Sequence, residues 1–390
     1  MLLWSGQVVS TVGMRVSTLA YPLLILAITR SPLLAGVGGT AQAAPFLLLY
    51  LPAGALVDRW DRKRVMLAAD GVRVMLLGGL AVALAARLLT YPPVIVTAFL
   101  DGSCFVFFQL AESAALPHIV AARHLPTALA QNQAREQGAE MAGAPLAGSL
   151  FSVSHALPFA ADAASYLISF TTLLFVRPAL QGRPRQARRR LFREIAEGLG
   201  WLWRQRLLRA LVVVTGATNL AMNALPLAVI VRARQLGADP LLIGLLFVFP
   251  GAAAIAGSLG APWLQRRFPA RIVVIGSLWL WVATMAALAW MPTPLTLGLA
   301  VGFGSLPGPA FNIVLARYAY ALAPDHLRGR VVSSARLITW GTIPVATLAA
   351  GAALQTAGSV PTLCALSSLM LAVAATATAT RTVRSAGDPG

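Results

Sequence analysis

Long apolar runs separated by short polar breaks account for almost the whole chain. Twelve runs have about the ~20 residues that an α-helix needs to cross the hydrocarbon core of a bilayer. They cover residues 2–28, 33–57, 65–89, 93–116, 125–153, 158–176, 208–231, 241–264, 271–291, 295–315, 331–354 and 360–380. The runs are continuous rather than alternating, which predicts helices and argues against a membrane β-barrel. Six breaks are short and marked by a Pro or Gly within or directly after them, at residues 29–32, 90–92, 154–157, 237–240, 292–294 and 355–359. The first run is read as a span rather than a cleavable leader, because it is long and lacks a small-residue cleavage site. The expected fold class is therefore all-α integral membrane, with twelve transmembrane helices.

The remaining breaks carry the charge. Of the 31 Lys and Arg residues, 23 fall in one alternate set of loops and termini, four (Arg30, Arg87, Arg232, Arg234) in the other, and four (Arg15, Arg73, Arg135, Arg336) inside runs. Basic residues near helix ends are retained on the cytoplasmic side. The bias thus predicts both termini in the cytoplasm. Only 11% of residues are charged and 58% are hydrophobic, against about 25% charged in a soluble domain. The net charge of +18 is what such loops produce and does not imply nucleic acid, since no compact basic module with interleaved aromatics exists. Cys104 and Cys364 both lie in apolar runs and are read as buried thiols.

The longest polar stretch falls between the sixth and seventh runs. It divides the chain into a six-span bundle over residues 1–177, a basic linker over 178–207 and a second six-span bundle over 208–390. Residues 191–203 have apolar positions at helical spacing, which fits either a helix lying on the inner leaflet or a solvated linker. The halves echo each other at an offset of about 205 positions: Pro22 with Pro226, Gly36 with Gly244, Pro45 with Pro250, Gly54 with Gly260. Duplicated halves mark transporters whose substrate site lies between the repeats near the midplane.

The chain is organised around Gly54-Ala55-Leu56-Val57-Asp58-Arg59-Trp60-Asp61-Arg62-Lys63-Arg64 between the second and third runs. This pattern resembles the loop signature between the second and third helices of major facilitator superfamily transporters, with Gly54, Asp58, Arg59, Arg62 and Lys63 in place. Asp61 stands where that signature often has Gly. Leu3-Trp4-Ser5-Gly6-Gln7, Ala161-Asp162-Ala163-Ala164-Ser165-Tyr166-Leu167 and Pro324-Asp325-His326-Leu327-Arg328-Gly329-Arg330-Val331 are similar to the group containing macrolide and enterobactin exporters. The resemblance covers essentially the whole chain. It implies two pseudo-symmetric six-helix bundles, alternating access, and proton-driven export across a bacterial inner membrane. It also implies that Asp58 accepts from amides near Val331 and latches one side shut, with Arg59, Arg62, Lys63 and Arg64 completing a gating motif. Two stretches depart from the group. Gly13-Met14-Arg15 lacks the usual acid, and the small-residue run from Gly138 to Gly148 is only a partial antiporter signature.

Charges inside a membrane pair, face a cavity or take up a proton. Asp70 and Arg73 are three apart on one helix and are expected to pair. Asp101 and Asp162 lie near span ends, where hydration is expected. Glu112 and Glu140 are the candidates for proton coupling, set against a structural pairing with Arg135 or Arg336. Arg15 is a candidate for an anionic substrate, or for neutralising an acid on a facing helix. With Gln42, Gln109, Asn219, Asn223 and Asn312 it forms the candidate substrate cavity. Interhelical hydrogen bonding is the alternative for these polar residues.

The leading expectation is a secondary exporter of a hydrophobic drug or natural product. The alternatives are a narrow-specificity siderophore or metabolite exporter, and an integral-membrane enzyme acting on lipid. The enzyme reading needs clustered catalytic groups. His118, His124, His155 and His326 are instead scattered, with no metal or nucleophile spacing. No phosphate-binding Gly-Lys-Ser/Thr loop exists, so an ATP-driven pump is unsupported. No cofactor or metal is expected. The partners expected are the substrate, protons and the bilayer, and a monomer is compatible with this reading.

Overall fold

The structure is a computed structural model. It describes residues 2–119, 125–175, 200, 206–322 and 328–380. In the first half, α1 is Leu2–Thr29, α2 Pro32–Val57, α3 Arg62–Ala85, α4 Tyr91–Ile119, α5 Leu125–Val153 and α6 Leu157–Leu174. In the second, α7 is Arg206–Gln235, α8 Pro240–Leu246, α9 Val248–Arg267, α10 Ala270–Leu288, α11 Pro294–Ser305, α12 Gly308–Leu322, α13 Arg328–Thr356 and α14 Ser359–Ala379. No strand occurs among the described residues.

Two expected spans are each interrupted, the first near its start and the second near its middle. The run 241–264 divides at Phe247, three residues before Pro250, and the run 295–315 divides at Leu306-Pro307. A proline ring clashes with the carbonyl four residues earlier and supplies no N–H. At the second break the Trp281 indole Nε1 on α10 donates to Gly304 O at 2.7 Å, giving a partner to a carbonyl near the interruption. Counting each broken pair as one span, ten helices among the described residues are long and apolar enough to cross a membrane. The other two expected spans are α5 and α13, each 29 residues long. The first half of α5 carries Asn132, Arg135, Glu136 and Glu140, and that of α13 carries Arg328, Arg330, Ser333 and Arg336. They stand at equivalent places in the two repeats.

The chain divides into two compact units, residues 1–189 with 239–245, and residues 190–238 with 246–390. The short segment joins the first unit because Gly244 of α8 meets Gly148 of α5 backbone to backbone. Packing partners recur between the units. In the first, α1 packs on α5 and α6, α2 on α4, and α3 on α4 and α6. In the second, α7 packs on α13 and α14, α9 on α11 and α12, and α10 on α14 and α11. The tightest approaches recur as well. A methyl on Gly102 of α4 would run into the Gln42 carbonyl of α2, and one on Gly257 of α9 would run into that of Leu306. The repeat is therefore a repeat of packing as well as of sequence.

The core of the second unit is built around Trp281 and Phe311, whose rings meet edge to face at 5.0 Å, with Met285 and Met370. In the first, Val57, Met66, Phe108 and Leu173 form a cluster directly beneath residues 58–64. That cluster fixes the base of the basic loop.

Candidate functional site

The basic loop is short because both flanking helices end in it. Asp58 is the C-cap of α2, and its N–H donates to Gly54 O at 3.1 Å. Asp61 is the N-cap of α3, its Oδ1 accepting from the Arg64 N–H at 3.1 Å. An N-cap acceptor satisfies an orphan helix donor and contributes about 0.5–2 kcal/mol. The aspartate that replaces the customary glycine therefore has a structural role of its own.

The four cations of the loop divide into two pairs. Arg62 Nη1 donates to Ala114 O near the end of α4 at 3.0 Å, and Lys63 Nζ donates to Leu174 O at the end of α6, also at 3.0 Å. Leu174 is the last residue of its helix, where carbonyls lack partners and a cation is favoured, whereas Ala114 lies within the last two turns of α4. These two side chains tie the loop to the ends of two neighbouring helices. Arg59 and Arg64 are exposed, as is Asp58. Gly54 has open space where a side chain would stand, so no close packing explains that glycine.

Three ion pairs occur among the described residues, all in the first unit. Arg135 of α5 meets Glu112 of α4, Nη1 to Oε1 at 2.9 Å. Arg15 of α1 meets Glu140 of α5, Nη1 to Oε2 at 2.8 Å, with the glutamate side chain 57% exposed. Both candidate coupling carboxylates are thus held by arginines, and both pairs fasten α5 to a neighbour.

The third pair corrects the expected partnership of Asp70 with Arg73. Arg73 Nε instead lies 3.2 Å from Asp101 Oδ1 on α4, with side chains 3% and 5% exposed. Its guanidinium also sits 4.6 Å from the centre of the Tyr166 ring and 5.7 Å from that of Phe105. Spacing along α3 brought Asp70 near, but the arginine projects between α4 and α6, where a carboxylate and a ring from α4 and a second ring from α6 surround it. Asp70 Oδ2 accepts from Ser169 Oγ at 2.6 Å, and Ser169 Oγ accepts from Gln7 Nε2 at 3.0 Å, which links α1, α6 and α3.

The hydration expected for Asp101 and Asp162 is also corrected, because both are buried. Asp162 sits against Gly13 of α1, where any side chain would strike its carboxyl and Ser165. Ser165 Oγ donates to the Asp162 carbonyl at 2.7 Å and lies 3.1 Å from Oδ1. Position near a span end did not decide burial; the packing of α4 on α2 and α3 buries Asp101, and that of α6 on α1 and α3 buries Asp162.

Residues 1–387 match the family described as transmembrane secretion effector, one of the major facilitator families. The chain belongs to that family. Over 394 aligned residues it is 28% identical to the multidrug efflux pump Tap of Mycobacterium tuberculosis, covering 94% of this chain and 89% of the pump. It is 25% identical over 216 residues to macrolide efflux protein A of Streptococcus pyogenes, covering 54% and 53%. Among solved structures, the nucleoside transporter NupG superposes with a TM-score of 0.74 at 12% identity, covering 97% of this chain and 98% of NupG. The D-xylose-proton symporter superposes with 0.71 at 12% identity, covering 96% of each. At those identities the structural likeness is one of fold. This member of the family is a multi-pass membrane protein of the major facilitator fold, and its family is one of transporters rather than enzymes.

The candidate cavity residues are placed variously in this family member. Arg15 is engaged by Glu140. Gln42 is half-buried and neighbours Asp101, and Gln109 is half-buried on α4. Asn219 and Asn223 stand one turn apart on α7, and Asn223 Nδ2 lies 3.5 Å from Thr342 Oγ1 on α13. Asn312 is exposed. The side chains of Val331 and Arg336 lie outside the described residues, as do those of His118, His124 and His326; His155 stacks on Phe151 with ring centres 4.5 Å apart. Sequence reading overlooked Ser165, Tyr166 and Ser169. The stretch from Ala161 to Leu167 contained the first two, but their partners lie on other helices.

Proposed function

We propose that this protein is a secondary transporter that exports a hydrophobic small molecule by alternating access, driven by protons. Its near full-length likeness to a multidrug efflux pump carries this reading. The partners are then the small molecule, protons and the bilayer. The 23-to-4 division of basic residues supports both termini in the cytoplasm and an inner-membrane location.

The two pairs on α5 suggest how protons act. A proton on Glu140 releases Arg15, and a proton on Glu112 releases Arg135. Either event unfastens α5 from a neighbouring helix, so proton occupancy and the position of α5 are linked. Arg15, once released, is a cation available to substrate. Clamping of the loop by Arg62 and Lys63 leaves the exposed Asp58 to serve as the latch that closes the cytoplasmic side.

Accumulation of a panel of lipophilic compounds in an efflux-deficient bacterium tests the reading. Cells expressing the protein should accumulate less of at least one compound, and a protonophore and Asp58→Asn should each restore accumulation without loss of membrane insertion. Unchanged accumulation across the panel with confirmed expression removes the drug-export reading. Normal export by the Asp58→Asn protein removes the latch.

A further inference from the structure

A groove of about 610 Å³ opens beside the basic loop, between α3 and α4. Its floor is an apolar stripe of α3 formed by Val65, Ala68, Ala69 and Val72. These positions follow the i, i+3, i+4, i+7 spacing of one helix face and run about 10 Å away from the loop. Phe107 of α4 and Trp60 of the loop form a wall, their rings stacked with centres 6.4 Å apart at 15°. Trp60 is 50% exposed, as befits an aromatic at a membrane interface.

The charged residues all sit at the loop end. Arg59, Asp61 and Arg64 line that end. The Asp61 carboxylate is occupied as the α3 cap. Neither Arg59 nor Arg64 forms an ion pair with a described residue. The same loop turns Arg62 and Lys63 inward onto helix carbonyls. Two cations are thus left facing out above an apolar slot, on a helix that crosses the membrane.

We propose that this groove is a binding site for an anionic phospholipid. Its phosphate lies between Arg59 and Arg64, and one acyl chain follows the Val65–Val72 stripe past Phe107. A soluble anion would use the cations and waste the floor. A lipid without net charge would use the floor and gain less from the cations. Arginine suits phosphate because its planar fork donates two hydrogen bonds at once. Each cation near an anionic bilayer surface favours association by about fivefold, so two give about twenty-five-fold.

The purified full chain is reconstituted in phosphatidylcholine nanodiscs doped with phosphatidylglycerol brominated on its acyl chains. Bromine quenches tryptophan only at short range, and the Trp60→Phe protein supplies the background of the other tryptophans. Quenching of Trp60 should occur at a dopant fraction on the order of tenfold lower for the phosphatidylglycerol than for equally brominated phosphatidylcholine. The preference should vanish in the Arg59→Gln/Arg64→Gln protein and persist in Arg59→Lys/Arg64→Lys, which keeps the charge. Glycerol phosphate in solution should not displace the lipid. Equal quenching by the two lipids, a preference unchanged by the glutamine substitutions, or displacement by glycerol phosphate each overturns the proposal. Because the readout needs no transport, it stands or fails separately from the export reading.

Discussion

Asp101→Asn should destabilise the first six-helix unit by about 3 kcal/mol. The Arg73–Asp101 contact is 3.2 Å long and almost wholly buried. At an effective dielectric of about 20 the attraction is about 5 kcal/mol. Most of that is offset by the desolvation of both groups, so the net value of the intact pair is small. Removing one partner is different, because it strands the other charge in the interior, at a cost of about 3–5 kcal/mol. In the Asp101→Asn protein, Arg73 keeps the Asp101 main-chain oxygen at 3.3 Å from Nη2 and the Tyr166 ring. Asp70 remains on the same helix, and a buried ring–cation contact contributes about 2 kcal/mol. These remaining partners set the expected loss at the lower end of the range. Unfolding of purified protein in mixed micelles with rising SDS fraction measures it. Adding Arg73→Met removes both charges and should recover about 2 kcal/mol relative to the sum of the single changes. Strictly additive single and double variants, or a loss below about 1 kcal/mol for Asp101→Asn, would refute the assignment. So would a larger loss for Asp70→Asn than for Asp101→Asn, since that pattern belongs to an Asp70–Arg73 pair.

Gly102→Ala should cost about 1–3 kcal/mol in the same assay, because a methyl there meets the Gln42 carbonyl and forces α2 from α4. Gly78→Ala on α3 meets nothing within 4 Å and should be neutral or stabilising by up to about 1 kcal/mol, measured alongside it. Glu140→Gln breaks a partly open pair and should change stability by no more than about 1 kcal/mol. It should nevertheless lower proton-driven export of a compound found in the accumulation panel. An unchanged response to the protonophore would return Glu140 to a purely structural role.

The protein's architecture was legible because each span announces itself locally. A helix crossing hydrocarbon must be about 20 residues long and satisfy its own backbone, whatever it packs against. The twelve runs, the loop 58–64 and the echo of Pro22 in Pro226 follow from the order of residues alone. The same logic limited the reading of α5 and α13, whose charged first halves make sense only beside neighbours. The breaks at Phe247 and Leu306 were signalled by Pro250 and by Pro307-Gly308-Pro309, yet were read as continuous spans because hydropathy does not register a missing N–H.

The partners of the charges were not legible, and the reason is geometric. Spacing along one helix says which side chains share a face, as with Asp70 and Arg73. It does not set the rotation and height of a neighbouring helix, on which the choice of Asp101 depends. Lys63 on the last carbonyl of α6 and the link from Gln7 through Ser169 to Asp70 both required that register. The sequence by itself determined which runs are long and apolar enough to cross the bilayer and where along the chain the basic loops fall, because hydrophobic thickness acts on each segment separately. Tertiary structure alone decided which buried acid meets which cation, because that depends on how separately inserted helices pack.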